Sequence, residues 1–275
     1  MTLQERNVVF KAGIVFALAC FIFTVAGSIF AFPVYPAFES ARRSSGIAQA
    51  ITGRFLAPSP YVPVVSILAA ALYALITIIL ICYYFEKTQC PEILFIALFA
   101  LSFSFEGMRL MTPLKMVREI PDLYLAMASR FMLFGRYFGI FSLFAASVCA
   151  AGLEMQKQQN IIGVIVMVTL IIALRVPIDT LSWDSSFSMI NGYRPMFRMI
   201  DAGVLLITMA SFFISAYSRG AREYIFIGTG SLMVFAGRSI LLGADTWISP
   251  LPGVLLLALG TWFICTCLHK VYLWL

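Results

Sequence analysis

The chain has 275 residues, 61% of them hydrophobic and 12% charged, with 19 Lys and Arg against 13 Asp and Glu for a formal charge of +6. A soluble domain carries about 25% charged residues, so this composition excludes one and points to an all-α integral membrane protein. Nucleic-acid binding is excluded too, because the basic residues are scattered through apolar runs and none of those runs could track a phosphate backbone.

In chain order, eight apolar segments are long enough to cross a bilayer, a task needing about 20 residues. They are predicted at 10–32, 62–85, 93–113, 127–152, 161–182, 198–218, 223–243 and 252–273. The first is read as a retained helix and not a cleaved leader, since its apolar run exceeds the roughly 7–15 residues of a secretory core. The longest connector, 33–61, holds PVYP, RRSSG and APSP, which is turn chemistry. The whole of 1–275 therefore reads as a single polytopic membrane domain, a bundle of about eight transmembrane helices.

Connectors on the side of the two termini, here the near side, are short: FEKTQCPE, LEMQKQQN and SRGARE. Those on the far side are longer and hold Pro, Trp and Tyr. A count of loop Lys and Arg gives a tie between the sides. Near-side basic residues are denser along shorter loops, and Cys82, Cys90, Cys149, Cys265 and Cys267 lie toward that side, where free thiols suit a reducing compartment. The expectation is a protein of the cell (inner) membrane with both termini in the cytoplasm.

The third, fifth and seventh segments end alike, in EGMRLMTP, ALRVPIDTLSW and AGRSILLGADTW. Each places a small residue two positions before an arginine: Gly107 and Arg109, Ala173 and Arg175, Ala236 and Arg238. The arginines are 66 and 63 positions apart, and Arg136 and Arg198 in the following segments are 62 apart. Spacing of this kind suggests a bundle built from repeated helical hairpins.

These residues belong to one charged layer in the far-side half. It comprises Glu106, Arg109, Arg130, Arg136, Arg175, Asp179, Arg198, Asp201 and Arg238, with no comparable layer expected at the near side. Residues three or four apart share a helix face, which pairs Glu106 with Arg109 and Arg198 with Asp201. Arg175 would pair likewise with Asp179, except that Pro177 kinks or ends a helix there. Arg130, Arg136 and Arg238 have no local acid. Six arginines against three carboxylates is a surplus of positive charge at a costly depth, and the planar guanidinium suits carboxylate and phosphate.

The layer thus predicts a ligand site made of Glu106, Arg109, Arg136, Arg175, Asp179, Asp201 and Arg238, rimmed by Trp183, Trp247 and Tyr193, with Arg130 and Arg198 as helix-end anchors. The competing reading is structural: interfacial Arg and Trp anchor helix ends, and ion pairs fix register.

Elsewhere, Cys265 and His269 of ICTCLHK share a helix face, but a metal wants three or four converging ligands, so no metal is expected. No GxSxG, HExxH or P-loop pattern appears, and no catalytic residue or cofactor is assigned. Runs rich in Gly, Ala and Ser, such as GTGSLMVFAG, predict close internal helix packing.

The function expected is binding of an anionic small molecule or lipid headgroup, as a transporter or as a sensor whose cytoplasmic output a protein partner supplies. The alternatives are a non-catalytic structural subunit of a membrane complex and a lipid-phosphate-modifying enzyme. Membrane lipids are partners in every case.

Overall fold

The computed structural model describes residues 3–32, 59–86, 88, 90–117, 120–152 and 158–273. The connector residues 33–58 and residues 153–157 of the LEMQKQQN loop lie outside them. Among the described residues, eight helices are long and apolar enough to cross a membrane.

Helix α1 spans Leu3–Ala31 and α2 spans Tyr61–Phe85. The third spanning element is composite: α3 (Pro91–Ser102) runs into a 3-10 helix (Phe103–Leu110) and then α4 (Met111–Val117). Helix α5 follows at Asp122–Ala150, α6 at Gln158–Arg175, α7 at Arg194–Arg219, α8 at Glu223–Leu242 and α9 at Pro250–Leu273. Each of the eight expected segments has its helix.

Three boundaries are corrected: α1 starts at Leu3 and not 10, α5 at Asp122 and not 127, and the fifth segment ends early. The fifth segment was expected to stay helical to 182, but α6 ends at Arg175. Pro177 lacks an amide hydrogen and disfavours helical backbone at the residue before it. The chain turns instead into a short antiparallel hairpin of β1 (Ile178–Trp183) and β2 (Met189–Asn191), with Ile178 opposite Asn191 and Asp179 opposite Ile190. Among the described residues this is the only strand pair in an otherwise helical bundle. Gly192 N donates to Pro177 O at 3.0 Å and closes the base of the hairpin.

The third spanning element is the most buried of the eight, and α5 is next. Together they form the axis of the bundle. The sequence ILFIALFALSF is apolar all round, as a helix surrounded by other helices must be. Outer elements such as α6 and α7 bury little and direct large apolar side chains outward, among them Val164, Met167, Leu206 and Ile214.

Small residues set the closest approaches. A Cβ at Gly107 would lie 2.4 Å from Thr24 Oγ1 of α1, so glycine there lets the 3-10 stretch and α1 touch. A Cβ at Gly237 would lie 2.7 Å from Leu257 N and 2.9 Å from Gly253 O, which makes α8 and α9 a backbone-to-backbone pair.

At the near end, Arg6 is buried and caps α2: its Nη2 donates to Phe85 O at 2.7 Å and Glu86 O at 3.2 Å, and its Nη1 to Thr88 O. Glu92 is also buried, and its Oε2 accepts from Tyr272 Oη at 2.8 Å and Cys90 Sγ at 3.2 Å. These bonds bring the start of α1 and the end of α9 to the α2–α3 connection. Arg6 and Glu92 are thus two separately bonded buried charges at the near end, not a layer comparable to that of the far side.

Gly237→Leu is expected to lower the unfolding midpoint in detergent micelles, at a cost of about 1–3 kcal/mol from overpacking. Gly163→Ala, where a Cβ meets nothing within 4 Å, should leave the midpoint unchanged or raise it slightly.

Candidate functional site

In a 3-10 helix, side chains at i and i+3 eclipse. Phe103, Glu106 and Arg109 therefore form one row on the central element, and Thr112 of α4 follows them. An uninterrupted 3-10 stretch of eight residues is longer than the usual three or four, and it carries the central acid of the charged layer.

Glu106 is 2% exposed. Its carboxylate takes a two-pronged contact from Arg136 of α5, Nε to Oε1 at 2.8 Å and Nη2 to Oε2 at 3.0 Å. Arg109 Nη1 adds a third contact to Oε2 at 3.3 Å. A carboxylate at this depth is tolerated only when paired and hydrogen-bonded, and two guanidinium groups from neighbouring elements meet that condition.

Arg109 is equally buried, and its remaining donors turn toward the hairpin. Nε donates to Ser186 O at 2.9 Å and Nη2 donates to the same carbonyl. Thr112 Oγ1 donates to Phe187 O at 3.0 Å. Phe187 sits at φ 60°, a left-handed conformation unfavourable for a bulky residue. The residue is 4% exposed, in a cluster with Ala31, Val64, Ile67 and Leu110. The hairpin tip is thus inserted between α1, α2 and the central element, gripped on its carbonyls by Arg109 and Thr112. Ser188 Oγ completes the grip, accepting from Arg136 Nη2 at 3.2 Å.

Beside this closed cluster lies a cavity of about 330 Å³, at the small end of the usual ligand-site range. Its polar wall comes from Arg136 of α5, Asp184 and Asn191 of the hairpin region, Arg198 and Asp201 of α7, and Arg238 of α8. Leu133, Tyr137 and Phe197 form the apolar wall, with the last two rings 5.5 Å apart. Arg238 is buried and donates through Nη2 to Arg136 O at 3.0 Å, which fixes α8 against α5. Asp201 Oδ1 and Asn191 Oδ1 are buried acceptors without hydrogen-bond partners. Arg198 is exposed.

Of the nine residues expected in the site, Arg136, Asp201 and Arg238 line the cavity, while Glu106 and Arg109 stand behind it. The other four lie elsewhere. Arg175 is exposed at the end of α6, and Asp179 is exposed on β1, where it accepts from Ser182 Oγ. Trp183 is half-buried at the end of β1 and Trp247 is 43% exposed before α9. None of these four lines the cavity. The three arginines of the suggested repeat accordingly differ, with Arg109 and Arg238 buried and Arg175 exposed.

Sequence reasoning missed Ser186, Ser188 and Asn191 because the hairpin was read as helix end and loop, and it weighed Asp184 only as an acid of the enzyme alternative. It also set Arg198 aside as an anchor and found no acid for Arg136, whose partner is 30 positions away. No known protein-family model matches the chain, and a comparison with curated proteins found no match.

Two outcomes are expected. Glu106→Gln leaves two buried guanidinium groups against a neutral amide and should cost about 3–5 kcal/mol of stability; adding Arg136→Gln should cost less than the sum of the single changes in a double-mutant cycle of unfolding midpoints. Arg109→Lys, which cannot fork onto Ser186 O, should speed hydrogen exchange across 178–191 while α3 exchange stays slow.

Proposed function

We propose that the chain is a multi-pass membrane protein, one bundle over residues 1–275, that binds a small anionic ligand or lipid headgroup in the far-side cavity. The observation that carries this reading is that Arg136, Arg198 and Arg238, from three different helices, line one cavity of about 330 Å³. A membrane protein has little reason to gather three arginines around an open space unless something acidic enters it.

The Arg6 and Glu92 contacts at the near end favour sensing over transport, although a mainly apolar cavity of about 620 Å³ lies between α2 and α9 and reaches Phe85 and His269 there. A transport route would have to cross the region where Arg6 caps the α2 carbonyls and Glu92 is bonded to Tyr272 and Cys90. In the sensing reading, a protein partner at the short near-side loops provides the output, with those loops and both termini in the cytoplasm. The Arg109–Ser186 contact then offers the coupling, because it links the cavity-lining hairpin to the most buried helix of the bundle.

The rival is a structural subunit, and one observation favours it. Glu106, Arg109 and Arg136 form a closed ionic cluster holding the hairpin, so part of the charged layer is accounted for by architecture alone. The lipid-phosphate-modifying enzyme has less support, since Asp184 and Asp201 share their cavity with three arginines that would repel a metal ion. The hairpin repeat remains a proposal from spacing, with buried Arg109 and Arg238 as its best-matched pair.

Arg198 gives the discriminating test because it lines the cavity yet is exposed. In purified protein, Arg198→Gln is expected to weaken binding of ethyl phosphate or propionate by about tenfold, equivalent to 1.4 kcal/mol, with the unfolding midpoint unchanged. Unchanged affinity, or no binding to the unaltered protein, would leave the structural reading standing.

A further inference from the structure

We infer that the cavity is built for a ligand carrying an acid and an amine together, a zwitterion or a zwitterionic headgroup, and not for a plain anion. The inference rests on the anion-site reading above and narrows it.

The arginines are only half of the polar wall. Asp201 Oδ1 and Asn191 Oδ1 are both buried and both without a hydrogen-bond partner, and both residues line the same cavity as Arg136, Arg198 and Arg238. Buried acceptors call for donors. A phosphate or carboxylate ion brings further acceptors, so it satisfies the arginines and leaves Asp201 and Asn191 as they were. It also sets a second negative charge near Asp201 and Asp184. An ammonium carries three donors and no acceptor, and answers that half of the wall directly.

The spacing fits a small molecule. Arg198 and Asp201 lie three apart on α7, on one face with Cβ atoms about 5–6 Å apart. That spacing allows an internal ion pair, yet Asp201 Oδ1 takes no hydrogen bond. The two poles therefore stay available to one ligand, whose acid faces the arginines and whose amine faces Asp201 and Asn191. Charge agrees with this: Arg136 is already paired with Glu106, and Arg198 and Arg238 then balance Asp184 and Asp201 around the cavity, so a zwitterion adds no net charge where a plain anion would.

The test compares probes that differ only in the amine. Phosphoethanolamine is set against ethyl phosphate, and β-alanine against propionate, by calorimetric titration of the full-length protein in detergent. The expected result is that the amine-bearing member of at least one pair binds about tenfold tighter. Asp201→Asn should reduce that preference to about twofold or less while keeping or tightening ethyl phosphate binding. If Asp201→Asn does not give a monodisperse protein, Asn191→Leu serves for the same comparison.

Equal or tighter binding of the amine-free probes would overturn the inference and leave the anion site intact. Binding of none of the four would overturn both. Repeating the titration in nanodiscs separates the two sources. Loss of probe binding with phosphatidylethanolamine, but not with phosphatidylcholine alone, assigns the site to a lipid headgroup; binding in both assigns it to a soluble zwitterion.

Discussion

The structure depends on how one carboxylate is neutralised. Glu106 sits on the most buried helix of the bundle, where an unpaired charge would not persist. The 3-10 turn stacks Arg109 over it, and α5 supplies Arg136 in a two-pronged contact. Each arginine then reaches outward, Arg109 to the Ser186 carbonyl and Arg136 to Ser188. A single acid thereby ties together the central helix, its main partner and the β-hairpin. The long 3-10 stretch has a reason in this arrangement: it eclipses acid and base, and it aims Thr112 at the next hairpin carbonyl.

The charged layer consequently divides in two. Its inner part is closed, with Glu106 engaged by both guanidinium groups and the hairpin tip locked by the insertion of Phe187. Its outer part surrounds a cavity, where Arg198 and Arg238 meet Asp201 and Asn191 with acceptors still unbonded. Arg136 belongs to both parts. A change of charge in the cavity is felt directly at the residue that clamps Glu106, and through Glu106 at the grip on the hairpin. Arg136 thus joins the cavity wall to the cluster that holds the hairpin, and the proposed ligand site would share that side chain with the architecture.

Apolar packing decides where this network sits. The α3 run is hydrophobic on every side and takes the axis, which carries Glu106 and Arg109 inward with it. The α8–α9 pair, brought together at Gly237 and Gly253, makes a stiff unit that presents Arg238 toward α5. The outer faces of α6 and α7 remain apolar and exposed. At the opposite end, Arg6 and Glu92 fasten the start of α1 and the end of α9 to the α2–α3 connection.

Composition and segment length were enough to determine eight long apolar helices, because crossing a bilayer imposes a length that any reading of hydropathy detects. The local pairing of Glu106 with Arg109 was legible as well, since three-residue spacing puts two side chains together in any helix. The sequence did not reveal the Arg136–Glu106 contact, which joins residues 30 apart on different elements. Nor did it reveal the hairpin, whose strands are short and whose first half continues an apolar run. Arg175 and Asp179 looked equivalent to their counterparts by spacing, yet Arg175 ends the peripheral α6 exposed and Asp179 lies exposed on β1 beyond the turn at Pro177. Which arginines close on a carboxylate, and which border a cavity, was decided by how the helices rotate against one another. That rotation follows from three-dimensional packing, which spacing along one chain does not encode.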